Sequence, residues 1–155
     1  MESLSTKEML RSRLTKRKSD RAIQDIFNES DKSSFRILKD SESVIIRRIA
    51  LDSYLDFPHV HLGARHESGI WKEGLEARIT PVGEFLFGLG EAKVFLFMEP
   101  WPLRGAVSVK AEDLKILLGK VLHYCDGSIK IYNISLTKSC ILQDRDGEVH
   151  YTILT

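Results

Sequence analysis

Four residues within nine positions carry side chains that bind metals. The segment HVHLGARHE, residues 59 to 67, contains His59, His61, His66 and Glu67. Imidazole nitrogens and carboxylate oxygens are donors that zinc and non-haem iron accept. On a strand, His59 and His61 share one face, and Val60 and Leu62 take the other. A turn at Gly63-Ala64 would bring a third donor round to the histidine face. This pattern defines one function class, a small enzyme with a divalent metal as its only candidate cofactor. The bland alternative is a strand, or a loop after Pro58, whose polar side chains face solvent. That alternative is preferred, because half-matches to a short pattern arise often by chance.

The spacing partly resembles the first motif of the cupin family: His59-x-His61, an acidic residue shortly after, then Gly74. Glu67 stands one position late for that motif, and its leading glycine is missing. No second motif with a later histidine follows Pro81-Val82-Gly83. The resemblance covers residues 59 to 74 and nothing else.

Other chemistry is sparser. Gly88-Leu89-Gly90 lacks the third glycine of a dinucleotide loop, so it reads as a turn. His123, Cys125 and Asp126 are near in sequence, but a nucleophile, base and orienter are assembled by geometry across a fold. No serine elbow, phosphate-binding Walker loop or paired-carboxylate pattern is present. Asn133-Ile134-Ser135 matches a glycosylation acceptor only by chance, since it sits in an apolar strand pattern. No catalytic residue is assigned.

The strongest signal is a charge imbalance. Residues 1 to 21 hold Lys7, Arg11, Arg13, Lys16, Arg17, Lys18 and Arg21 against Glu2, Glu8 and Asp20, a net +4. The whole chain is +1, which leaves −3 for the remainder. Acidic partners at i+4 are scarce, so neighbouring cations repel. The apolar stripe beneath them is thin. A helix of this kind needs an anionic counter-surface: nucleic acid, an anionic membrane or an acidic protein. Nucleic acid is favoured over a membrane surface.

A second candidate surface is FMEPWPLRG, residues 97 to 105. Pro100 and Pro102 stiffen a loop around Trp101. With Leu103 and Arg104, Trp101 could anchor a protein partner, or it could fold back as a cap on the core.

These candidates must be positioned by a single domain of 155 residues, 43% hydrophobic and 29% charged. Cys125 and Cys140 are too few for a disulfide framework and read as reduced, partly buried thiols. Residues 1 to 21 lack the apolar stretch of a secretory signal, and no transmembrane run appears. An intracellular, soluble protein is the expectation. Ser5 and Glu8 form a capping box for an N-terminal helix, with a bend expected near Lys18–Asp20. That bend separates a basic element, residues 1 to 19, from the domain, residues 20 to 155. Phe35–Lys39 and Ser43–Leu51 read as a hairpin around Asp40-Ser41. Leu75–Ile79, Val94–Met98, Ala106–Lys110 and Ile129–Leu136 read as strands, the last with a bulge. Ala111–Tyr124 is an amphipathic helix. Cys140–Gln143 and Val149–Leu154 close the chain as a hairpin around Asp146-Gly147. The expected fold class is α+β: a mostly antiparallel β-sheet covered by one amphipathic helix, with a basic N-terminal helical element. The expected function is non-enzymatic binding of an anionic partner. The alternatives are the metal enzyme and a homo-oligomeric structural protein.

Overall fold

The hairpin expected around Asp146-Gly147 is present. Both turn residues have positive φ, 54° and 84°, the conformation a two-residue type I′ turn demands. Its strands are the last two of a seven-stranded sheet. The computed structural model describes residues 5–28, 35–56, 66–71, 81–89 and 92–155. The elements are α1 (Thr6–Phe27), β1 (Phe35–Ile37), α2 (Asp40–Asp52), β2 (His66–Ile70), α3 (Pro81–Leu89), β3 (Lys93–Met98), β4 (Ala106–Lys110), α4 (Ala111–Tyr124), β5 (Ile129–Asn133), β6 (Ser139–Arg145) and β7 (Glu148–Leu154). The strand order is β1-β4-β3-β5-β6-β7-β2, and every neighbouring pair is antiparallel. The fold class is therefore α+β, as expected.

Helices cover both faces of the sheet. Val94, Leu96 and Met98 of β3 point to one face, where Leu114, Leu118 and Val121 of α4, Phe85 and Leu86 of α3, and Ile23 and Phe27 of α1 complete the main core. Phe97 and Tyr132 point to the other face and meet Ile46 and Ala50 of α2. α4 has the bounds its periodicity predicts, and its apolar stripe is buried.

Three local expectations are corrected. Ser43–Leu51 is not a strand of a hairpin but most of α2. Ser43, Ile46 and Ala50 bury at helical spacing, and Glu42 returns its carboxylate to the Lys39 amide at 3.3 Å. Arg36 also clamps Glu42 at 2.7 and 3.0 Å. Local capping thus overrides the β-branched run Val44-Ile45-Ile46, which suits a strand equally well. The bend at Lys18–Asp20 is absent, because α1 runs through it as one helix of 22 residues. Finally, β5 ends at Asn133 rather than continuing through a bulge. The Asn133 amide accepts from the Thr137 and Lys138 backbones at 2.9 and 2.8 Å and donates to Ser135 and Thr137 hydroxyls. It is consumed within the turn. The strand expected at Leu75–Ile79 lies outside the described residues.

The Trp101 loop locks α1 to the body. Gly105 has φ +97°, and a Cβ there would stand 2.7 Å from Ile23 Cδ1 and 3.1 Å from Ser19 Oγ. The buried Ser19 hydroxyl donates to the Arg104 carbonyl at 2.8 Å. Replacing Gly105 with Ala should therefore cost about 1–3 kcal/mol, from backbone strain plus crowding. Denaturant titration checks this as a lowered midpoint at unchanged slope.

Candidate functional site

α1 has two unlike halves. The C-terminal half is anchored by Ser19, Ile23 and Phe27, all buried. Full burial of a Phe or Ile side chain contributes about 1.5–3 kcal/mol. Residues 5 to 18 are exposed throughout. The capping box holds the exposed end: Glu8 N–H donates to Ser5 Oγ at 3.2 Å and Ser5 N–H to Glu8 Oε2 at 2.9 Å. Such a box contributes about 1 kcal/mol, which a helix end with no packing face needs.

Because α1 is one continuous helix, its helical phase sorts the seven cations. At about 100° per residue, Lys7, Arg11, Arg17, Lys18 and Arg21 fall in one arc of about 120°. Leu14 sits at the centre of that arc, opposite Ile23, with Leu10 beside it. Between residues 7 and 21 the arc contains no carboxylate, because Glu8 and Asp20 lie outside it. Among the described residues, no carboxylate forms an ion pair with any of the five. The outward face of α1 is thus a cationic stripe spanning about 20 Å.

The other two cations lie off the stripe. Arg13 is on its flank. Lys16 is on the inner side, 3.3 Å from Asp40 Oδ2. Both partners of that pair are well exposed, so it contributes little to stability.

Lys16 belongs instead to a groove. α1 supplies one wall with Ser12, Thr15 and Lys16. Trp101, Pro102 and Leu103 supply the opposite wall, and Leu38 and Ala106 lie between. The cavity measures about 450 Å³. Trp101 is half-buried, edge-on to Phe97 at 5.9 Å, so it both caps the second core and lines the groove. Leu103 is 59% exposed. Arg104 faces elsewhere, with its guanidinium 5.1 Å above the Tyr124 ring and 3.7 Å from Asp126. The structure therefore joins Trp101 and Leu103 to Lys16 and separates them from Arg104.

The densest ionisable cluster lies under α2, and sequence reasoning missed it. Asp56, in the turn after α2, is enclosed by three donors. Tyr132 Oη donates to it at 2.5 Å, Lys130 Nζ at 2.9 Å and Arg47 Nη1 at 3.1 Å. Arg47 also donates to Tyr132 Oη at 2.6 Å. Glu99 Oε1 stands 3.6 Å from Lys130 and 4.0 Å from Arg47. Its other oxygen accepts the Trp101 amide at 3.0 Å. Burial pushes the Asp56 carboxyl up, but the hydrogen bonds from Tyr132 and Lys130, with the Lys130 and Arg47 charges, outweigh it and hold the pKa below its ordinary value. Burial and the Asp56 charge push the Tyr132 hydroxyl up. Two cations meet two carboxylates, so the cluster is neutral. Asp56, Tyr132, Lys130 and Arg47 are hydrogen-bonded to one another. The buried Glu99 Oε1 makes ion-pair contacts only and accepts no hydrogen bond among the described residues. The cluster ties α2 and the Trp101 loop to β5.

The thiols are also structural. Cys125 and Cys140 are free and buried. Burial pushes the Cys125 thiol up to about 12 and raises that of Cys140 as well, which removes the thiolate needed for reactivity. Of the metal-ligand candidates, His59 and His61 lie outside the described residues. His66 and Glu67 open β2, where their backbones pair with Leu154 and Ile153 of β7. Among the described residues, no helix is long and apolar enough to cross a membrane.

No protein-family model matches the chain, and no curated protein matches it.

Proposed function

We propose that this chain is a non-enzymatic binding protein that holds nucleic acid against the outward face of α1, with the Trp101–Leu103 groove as its protein-contact surface. The observation that carries the reading is the sorting of the cations. The helix docks through Ser19, Ile23 and Phe27 and turns five positive side chains outward, where Asp25, one turn beyond Arg21, is the one carboxylate of α1 on the same face. Duplex nucleic acid offers the matching charge density, one phosphate per roughly 1.7 Å of axis. A major groove about 12 Å wide also admits an α-helix. Phosphate is favoured over a bilayer because only Leu10 and Leu14 interrupt the stripe. Two leucines give little apolar area for an interfacial helix to bury.

The test uses the full chain and a fluorescent DNA duplex of arbitrary sequence, with anionic phosphatidylserine vesicles as a second arm. Saturable binding to the duplex, with weaker retention on vesicles, is expected. Retention on vesicles alone, or on neither, would overturn the nucleic-acid reading.

A further inference from the structure

The outer face of α2 differs from that of α1. It is apolar and electrically neutral, and we infer that it is a self-association surface that pairs two copies of this chain. α2 turns Ser43, Ile46 and Ala50 inward. Outward it presents Val44, Ile45, Ile49 and Leu51, exposed by 56%, 60%, 43% and 44%. A surface helix ordinarily carries polar residues there. Here Ile45 and Ile49 form one apolar edge of the outward face and Val44 and Leu51 another, with Arg48 and Asp52 between them. Exposed apolar side chains in this number mark interaction sites. The charged residues among them are Arg48 and Asp52, 3.4 Å apart and both largely exposed.

That pair identifies the occupant. A partner of strong charge gains nothing from a face whose charges cancel. A second copy does gain, because a two-fold interface brings the same patch against itself. With two α2 helices antiparallel about an axis between Arg48 and Ile49, Ile45 of each copy lies within one helical turn of the level of Ile49 in the other, and Arg48 within one turn of the level of Asp52. Arg48 of each copy then reaches Asp52 of the other, so the ion pair within a chain becomes two pairs between chains. A standard interface buries about 800 Å² per partner, more than one helix face offers. Val44 also lines the groove beside Trp101 and Leu103, so the apolar surface continues past the end of α2. α1 cannot serve in this role, since two cationic stripes repel. The dimer goes beyond the nucleic-acid reading and does not depend on it.

Sedimentation equilibrium of the full chain, without nucleic acid, tests the inference. Twice the chain mass is expected at high concentration, dissociating on dilution. Ile45→Glu should weaken the dimer at least tenfold with an unchanged circular dichroism spectrum. Arg48→Asp should do the same, because it sets two carboxylates against each other across the axis. The double exchange Arg48→Asp with Asp52→Arg should restore the dimer. A monomer at every concentration overturns the inference. So does a dimer that neither single substitution affects, or one that the double exchange fails to restore.

Discussion

Reversing two charges of the α1 stripe, Arg11→Glu with Lys18→Glu, should weaken duplex binding on the order of 100-fold. The estimate takes roughly 1.4 kcal/mol for each phosphate contact replaced by a repulsion. Both residues are exposed on a helix whose anchors lie further along. The fold should therefore be unaffected, and thermal unfolding should shift by no more than surface substitutions usually cause. The informative control is Lys16→Glu. Lys16 points into the groove beside Asp40 rather than along the stripe, and its reversal should cost far less affinity. Fluorescence anisotropy on a labelled duplex measures all three proteins. A loss of about tenfold for Lys16→Glu, half the free-energy cost of the double reversal, would show that binding follows total charge and not the face.

The second large effect is on stability. Asp56→Ala should cost about 3–5 kcal/mol, the usual result of removing one partner from an enclosed charge cluster. Arg47 and Lys130 would be left with Glu99 as their one carboxylate among the described residues, at 4.0 and 3.6 Å. Against a total of about 5–15 kcal/mol, that loss brings a domain near unfolding. Tyr132→Phe removes a single hydroxyl and should cost less, about 1–3 kcal/mol. The pH dependence has a definite sign. The folded-state pKa of Asp56 lies below its unfolded value. Its stabilisation is thus fully present above the unfolded value, near pH 4, and is lost as pH falls through the folded one. Denaturant titrations at pH 7 and below pH 4 should show wild type losing stability on acidification. Asp56→Ala should lose less over the same range. A cost below 1 kcal/mol at pH 7 would mean the cluster holds nothing together.

Elements with strong local signals were legible in the sequence. α4, the Ser5–Glu8 box and the Asp146-Gly147 hairpin each rest on residues a few positions apart. α2 was not legible, because Val44-Ile45-Ile46-Arg47-Arg48-Ile49 fits a strand as well as a helix. What decided it was Glu42 reaching the Lys39 amide and Arg36, together with a sheet face that needed covering. The basic stripe was half legible. Its cations stood out, but an expected bend at Lys18–Asp20 hid the phase that separates five of them from Arg13 and Lys16. The spacing 7, 11, 14, 18, 21 was the signal that a continuous helix would have exposed. The Asp56 cluster was hidden for a different reason. Arg47 is nine residues from Asp56, but the other two donors, Lys130 and Tyr132, are 74 and 76 residues away. Only the alternation of Lys130 and Tyr132 with Ile129 and Ile131 hinted that one sheet face carries polar groups.

The central claim is that the outward face of α1 meets phosphates through five side chains. The most direct measurement is the affinity of the full chain for a DNA duplex as a function of salt. Five contacts predict a slope of log K against log salt of about −4.5, and the double reversal of Arg11 and Lys18 should reduce it to about −2.7. A slope near zero, or one that the reversal leaves unchanged, would contradict the account.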